Sequence, residues 1–312
     1  MPTQVTPIRV LQHVRNDAAL LASFILGRPA TTARVYRNEI GLWQAFLNRP
    51  LVEARADDLR AYIAKCRESK LKPGTLRHKV AVIKSLYAFL YQEEQIPADP
   101  MVRVPTPPHP QGESSRCLDL KQVKAFFEQI PHHRVIGLRD RAMFLLAANC
   151  GLRLSEIARL SVGDVTDGPE DGWRVLRIHG KGDKVREVHA RPEVWVHVVA
   201  YVSRRKDELL DRTPLFSSIH RGSSIKPQAA DLRIPAPTIY KRFKAYCRRA
   251  ELPTWASPHC MRHFFASEAH AKGAPAEAIR RALGHSSLNT TQRYLDRMER
   301  GVNQAFKAVR AI

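Results

Sequence analysis

The chain breaks once, at residues 99–116, DPMVRVPTPPHPQGESSR, which carry five prolines. Each proline fixes its own φ, removes a backbone N–H and restricts the residue before it. Neither a helix nor a central strand can run through such a stretch, and no apolar period replaces it. It reads as an extended linker. With 312 residues the chain can build a separate core on each side.

The two sides differ in pattern. Before the break, ATTARVYRNEIGLWQAFL places Tyr36, Ile40, Trp43 and Phe46 at helical spacing. TLRHKVAVIKSLYAFLYQEE does the same with Val80, Ile83, Leu86, Tyr87 and Leu90. The first domain is therefore expected to be all-helical, with its basic residues on exposed faces. The second, beginning near Leu118, is mixed. RDRAMFLLAANCGLRLSEIARL is helical on both sides of Gly151, a residue suited to ending a helix. WRVLRIHGKGDKVREVHA alternates apolar and polar around a Gly-Lys-Gly-Asp turn, the pattern of a β-hairpin. RPEVWVHVVAYVSRRKDELL predicts a helix with Pro192 in its first turn. The expected fold is a helical first domain and a mainly helical α/β second domain with a small antiparallel sheet.

Charge narrows the partners. Lys and Arg number 51 against 30 Asp and Glu, a formal charge of +21. That excess costs self-repulsion, and a polyanion relieves it; nucleic acid fits best, with an anionic membrane surface the rival. In PTIYKRFKAYCRRA, Lys241, Arg242, Lys244, Arg248 and Arg249 occur with no acid among them and aromatics between. Such a helix buries its aromatics, and its basic face suits a DNA groove. With no apolar run near 18 residues and no basic-apolar leader, the expected location is the cytoplasm, on the nucleoid when bound to DNA. The five cysteines form no C-x-x-C pair, so neither a zinc site nor a disulfide framework is indicated. The GKG at 180–182 lacks the upstream glycine of a P-loop, so no recognisable ATP site exists.

Chemistry centres on LGHSSLNTTQRYLDR, residues 283–297. A tyrosine hydroxyl has a pKa of about 10 and attacks a phosphodiester only with help. Cationic donors must neutralise the non-bridging oxygens, for which the planar fork of arginine is best shaped. A general acid must protonate the departing 5′-oxygen. The chain offers those residue types in separate settings: Arg153 and Glu156 in CGLRLSEI, Lys181 in the hairpin turn, His259 and Arg262 in SPHCMRH, His285 in LGH, and Tyr294. Each alone has a bland reading as a surface cap, a solvated turn or helix decoration.

Together, CGLRLSEIARL, GKGDKVRE, PHCMRHFFAS and LGHSSLNTTQRYL closely resemble the tyrosine recombinases, or phage integrase family. The resemblance covers almost the whole chain and has the simple two-domain form of chromosome-dimer resolvases and transposon-borne recombinases. It implies residues 1–16 as an N-terminal extension and 17–103 as a helical core-binding domain. Residues 104–116 would be the linker and 117–312 the catalytic domain with a C-terminal oligomerisation helix. It implies that Arg153 and Arg262 clamp the scissile phosphate, Lys181 is the general acid and His259 assists proton transfer. His285 would bond a phosphate oxygen, Glu156 would support the cluster, and Tyr294 would be the nucleophile, leaving a 3′-phosphotyrosyl link. That link preserves the energy of the broken bond, so neither metal nor ATP is expected. The implied partner is double-stranded DNA carrying specific sites, bound by a homo-tetramer on two synapsed duplexes. The protomers would be monomers or dimers in solution, and a second recombinase or accessory protein is compatible with the sequence. Cys260 and Met261 depart from the acidic-leucine pair common in the family. Residues 217–237 are longer than the corresponding loop of compact members, and Val302, Ala305, Phe306 and Val309 make an apolar stripe suited to docking on the next subunit. Two alternatives stay open: type IB topoisomerase-like relaxation, and DNA binding without chemistry.

Overall fold

The computed structural model describes residues 16–108, 117–180, 185–205, 207–218 and 232–284. They divide into two compact units, split at Ser114.

The first unit is helical: α1 (Asp17–Ile25), α2 (Ala30–Leu47), α3 (Ala56–Glu68) and α4 (Pro73–Gln92). The apolar stripes read from the sequence form its core, where Ile40, Trp43, Val80, Ile83, Leu86, Tyr87 and Leu90 are buried. Trp43 and Tyr87 carry polar atoms into that core and satisfy each other: Trp43 Nε1 donates to the Tyr87 hydroxyl at 3.1 Å, which donates to the Leu51 carbonyl at 2.8 Å. Met101 and Val104 are buried in the same cluster. Lys84 Nζ donates to the Val104 carbonyl at 2.7 Å and Arg77 Nη1 to the Pro107 carbonyl at 2.6 Å. The first half of the stretch read as an extended linker is thus fastened to the helical unit, because two side chains of α4 donate to its backbone carbonyls.

The second unit is built around α6 (Val135–Cys150), which is buried on nearly every side and packs against α8 (Pro192–Val202) and α10 (His259–Ala271). Its start passes so close to Pro131 that a Cβ on Gly137 would sit 1.6 Å from that carbonyl oxygen. The remaining helices are α5 (Leu120–Glu128), the single turn α7 (Leu154–Ile157), α9 (Ala236–Arg249) and α11 (Ala276–Leu283). The expected hairpin is β2 (Arg174–His179) and β3 (Val185–Ala190), joined on the other edge of β2 by β1 (Val165–Asp167) in one antiparallel sheet ordered β1-β2-β3. Leu176 faces Val188 across the hairpin and Ile178 faces Arg186. Residues 219–231 of the long loop lie outside the described residues, but its ends are closed by an antiparallel bridge between Ser217 and Arg233. No helix among the described residues is long and apolar enough to cross a membrane.

Candidate active site

Two helix ends converge to make the site. α6 stops at Gly151, which adopts the left-handed conformation at φ 65°. A side chain there is excluded twice, by that φ and by close approach: a Cβ would lie 2.7 Å from Phe265 and 2.8 Å from Leu283. α11 stops the same way, with Leu283 its last residue and Gly284 at φ 61°. The carbonyls at helix C-termini have no partner within their own helix and carry partial negative charge.

Arg262, on the first turn of α10 and only 3% exposed, answers both ends. Its Nη1 donates to the Gly151 carbonyl at 2.6 Å and its Nη2 to the Leu283 carbonyl. Arg153 comes two residues after Gly151 and immediately before α7. Its Nη1 reaches the same Leu283 carbonyl at 3.4 Å, so two guanidinium groups meet at one oxygen.

A single carboxylate organises the arginines. Glu156 is three residues beyond Arg153, one turn of helix on, and its carboxylate accepts from the Arg153 backbone N–H at 2.8 Å and from its Nη1 at 2.8 Å. Arg186 of β3 then closes on both carboxylate oxygens, Nη1 to Oε1 and Nη2 to Oε2, each at 2.9 Å. Burial opposes ionisation of Glu156, but the hydrogen bonds from Arg186 and Arg153 and the attraction of both cations outweigh it, holding the carboxyl below its ordinary range. Two guanidinium groups on one carboxylate, with that of Arg262 beside them at the Leu283 carbonyl, leave an excess of positive charge, and the Arg153 side chain, 37% exposed, is the part of it that faces solvent. Such an arrangement can attract and hold an anion.

His259 completes the described part. Its imidazole pKa is lowered by burial and then by repulsion from Arg262 and Arg153, so the ring is neutral at neutral pH. It stands edge-on to the His263 ring, with centroids 4.8 Å apart. Cys260 and Met261, between the His and the Arg, turn into the core. The structure therefore brings Arg153, Glu156, His259 and Arg262 together. Lys181, His285 and Tyr294 lie outside the described residues. Lys181 belongs to the β2–β3 connection and His285 follows Gly284 in the chain.

The basic helix needs a correction. α9 was expected to present Lys241, Arg242, Lys244, Arg248 and Arg249 as one unrelieved basic face. Arg242 instead pairs through Nε with Asp140 of α6 and donates from Nη2 to the Tyr246 hydroxyl at 2.7 Å. Lys244 Nζ donates to the carbonyls of Thr254 and Ala256 at 2.7 and 2.8 Å, tying down the following loop. Lys241, Arg248 and Arg249 are exposed. Arg249 lies over the Tyr246 ring at 5.7 Å, on one wall of a shallow cleft of about 240 Å³ that Lys241 also lines. The acid that relieves the face comes from another helix. Arg186 was not singled out by sequence reasoning, although its register offered a clue: it shares the inward face of β3 with the buried Val188 and Ala190.

Comparison with known proteins is consistent with this arrangement. Residues 116–300 match the phage integrase family and residues 27–94 match the phage integrase N-terminal SAM-like domain. The chain is 33% identical to the tyrosine recombinase XerC of Myxococcus xanthus over 227 residues, 71% of each chain. It is 30% identical to the tyrosine recombinase XerD of Pseudomonas putida over 295 residues, 91% of this chain and 93% of the relative. Among solved structures, the Tn1549 transposon integrase in complex with circular intermediate DNA superposes with a TM-score of 0.68 at 18% identity, covering 89% of this chain and 94% of that one. A lambda integrase dimer bound to a core site gives a TM-score of 0.68 at 11% identity, covering 90% of this chain and 95% of that one. At those identities the structures establish the fold.

Proposed function

The chain belongs to the phage integrase family of tyrosine recombinases, and on that premise we propose how its residues divide the work. It is a tyrosine-type site-specific DNA recombinase, cleaving and rejoining strands through a 3′-phosphotyrosyl intermediate. Type IB-like relaxation uses the same bond-making on a single duplex, but the recombinase relatives favour recombination over it and over binding without chemistry.

In the proposed reaction a DNA phosphate enters beside Arg153 and Arg262, whose guanidinium groups neutralise the non-bridging oxygens as charge builds in the pentacoordinate transition state. The Tyr294 phenol oxygen forms the new bond to phosphorus, and its proton passes to the neutral imidazole of His259. The bond from phosphorus to the 5′-oxygen breaks, and Lys181 supplies the proton that leaves a free 5′-hydroxyl. His285 bonds a phosphate oxygen, and Glu156 holds Arg153 in place. Religation reverses each transfer, with the 5′-hydroxyl of a partner strand attacking phosphorus and Tyr294 departing. Bond energy is conserved throughout, so the proposed reaction draws on neither ATP nor a metal. Recombination of two duplexes asks for four protomers, and we assign the chain a homo-tetramer on synapsed DNA, monomeric or dimeric before it, acting in the cytoplasm. Lys241, Arg248 and Arg249 are proposed as DNA contacts, and residues 17–103 and 117–312 as the core-binding and catalytic domains.

The observation that carries this reading is the meeting of Arg153 and Arg262 at the Leu283 carbonyl, beside a neutral His259. The test is covalent capture on nicked duplexes tiled from the DNA flanking the gene, without metal or ATP, resolved on a denaturing gel. A protein–DNA band is expected from the wild type and none from Tyr294→Phe. A band that survives the substitution would overturn the assignment of the nucleophile.

A further inference from the structure

Arg186 sits where a strand should be apolar. Side chains on β3 alternate, and Val188 and Ala190 on the same face are buried. Opposite Arg186 in the sheet is Ile178, which is also buried. A cation at the rim of a core is costly unless its donors are used, and here they are. The Nη1 and Nη2 groups take the two oxygens of Glu156, while Nε donates to the Ala282 carbonyl at 3.0 Å. One guanidinium thereby joins three elements: the hairpin whose turn contains Lys181, the α7 turn behind Arg153, and the end of α11 just before His285. Gly284 is shaped to it. A Cβ at that position would lie 3.0 Å from Cδ, Nε and Nη1 of Arg186, the tightest approach around that glycine.

We propose that Arg186 is a positioning residue for DNA cleavage, acting through Glu156 to fix the Arg153 guanidinium and through the Ala282 carbonyl to fix the chain entering His285. This rests on the recombinase reading of the site. Lysine cannot substitute, since a single ammonium cannot engage two carboxylate oxygens in parallel while also donating from the Nε position. Glu156 would keep only its contacts to Arg153, its orientation would loosen, and Arg153 would lose the rigid partner that aims it. Because Arg186 touches neither nucleophile nor leaving group in this scheme, its loss should slow cleavage without weakening DNA binding.

The experiment uses the full chain, with R186K and R186Q beside E156Q and the double variant R186Q/E156Q. Single-turnover cleavage is measured on the nicked duplex that the wild type captures, and affinity for the same duplex by gel shift. We expect R186K and R186Q to cleave about 10²-fold more slowly at saturating protein, with affinity within about threefold of wild type. R186Q/E156Q should be no slower than the worse single variant, as groups acting as one unit are non-additive. A substrate with sulfur at the bridging 5′ position needs no general acid, and it should not restore R186K, because the defect lies on the phosphate oxygens. Wild-type rates in R186K, multiplicative losses in the double variant, or rescue by the bridging sulfur would each overturn the proposal. A DNA-free arm separates it from the recombinase reading: the Glu156 carboxyl is titrated by ¹³C NMR in wild type and R186K, and its pKa should rise in R186K. An unmoved titration sinks the role of Arg186, whereas absence of any covalent band from the wild type sinks the reading on which it rests.

Discussion

Two buried acids in the second unit each stand between two arginines, and the clusters differ in how they use the arginine that reaches solvent. Asp140, wholly buried, receives Arg139 on one oxygen and Arg242 with the Tyr246 hydroxyl on the other. Arg139 spends its remaining reach on the Ser217 carbonyl at 2.8 Å, so the network ties α6 to α9 and the 217 region, and the Arg242 side chain, 30% exposed, has its Nε and Nη2 engaged within it. Glu156 is nearly as buried and is likewise bonded by Arg153 and Arg186, and Arg153 keeps a similar share of its side chain, 37%, in solvent. The chemistry of the pairs is the same. Exposure alone does not separate them, since Arg242 also reaches a surface cleft; among the described residues the Arg153 side chain engages only its Nη1, leaving the rest of its fork to an arriving anion.

The largest effect falls on the candidate active site. Tyr294→Phe should remove covalent capture altogether while gel-shift affinity stays near wild type, and any surviving band would break the distinction at its root. Arg153→Lys keeps the charge but loses the fork. It should slow single-turnover cleavage by about 10²–10³-fold, the usual cost of one preorganised donor, with little change in thermal midpoint because the side chain is partly exposed.

Asp140→Asn should behave in the opposite way. It leaves two arginines facing an uncharged partner in the interior, which costs about 3–5 kcal/mol of stability, measured by urea unfolding. Cleavage per folded molecule should be unchanged. If Asp140→Asn slowed cleavage as much as Arg153→Lys does, the two clusters would not be separable.

Acid should sharpen the comparison next. His259 is neutral in the folded protein because burial and then the Arg262 and Arg153 charges lower its pKa. As a proton acceptor it works when neutral, so cleavage should rise with pH through an inflection below the ordinary imidazole value. Arg153→Gln removes one of the two nearby cations and should move that inflection upward. The stability sign follows the same shift: the contribution of neutral His259 is complete above its unfolded pKa and is lost as pH falls through the lowered folded one. Glu156, also lowered, adds a loss of the same sign at still lower pH.

How much of this could be read beforehand depended on distance along the chain. The apolar stripe of α4, the glycine that ends α6, the β2–β3 hairpin and Pro192 at the start of α8 are local patterns, set by periods of two or 3.6 residues and by backbone chemistry. Strand β1 was missed because three residues with one half-buried position carry no period. The proline-rich stretch lacked a helical pattern and so read as an extended linker, and only the structure shows Arg77 and Lys84 donating from α4 to its carbonyls. In the site, Arg153 and Glu156 were legible as neighbours on one turn, and His259 and Arg262 as neighbours on another. That both arginines reach Leu283, and that Arg186 completes Glu156, are choices of partner across 21 to 130 residues and leave no local trace.

The smallest effect tests the same lesson on α9, where the sequence shows five equivalent cations and the structure sorts them. Lys241, Arg242 and Arg249 all line the cleft, but Lys241 is exposed and Arg242 is held by Asp140. A phosphate contact releases counterions on binding, so Lys241→Ala should weaken DNA binding across sequences and reduce the slope of log affinity against log salt by about one. Folding should be untouched. Arg242→Ala should do the reverse, lowering the thermal midpoint by removing one of the two cations on the buried Asp140 carboxylate while leaving the salt slope of the folded protein as it was. Equal slope changes in both variants would mean that Arg242 exchanges Asp140 for phosphate on the DNA, and that the Asp140 cluster opens when its own anion is replaced by another.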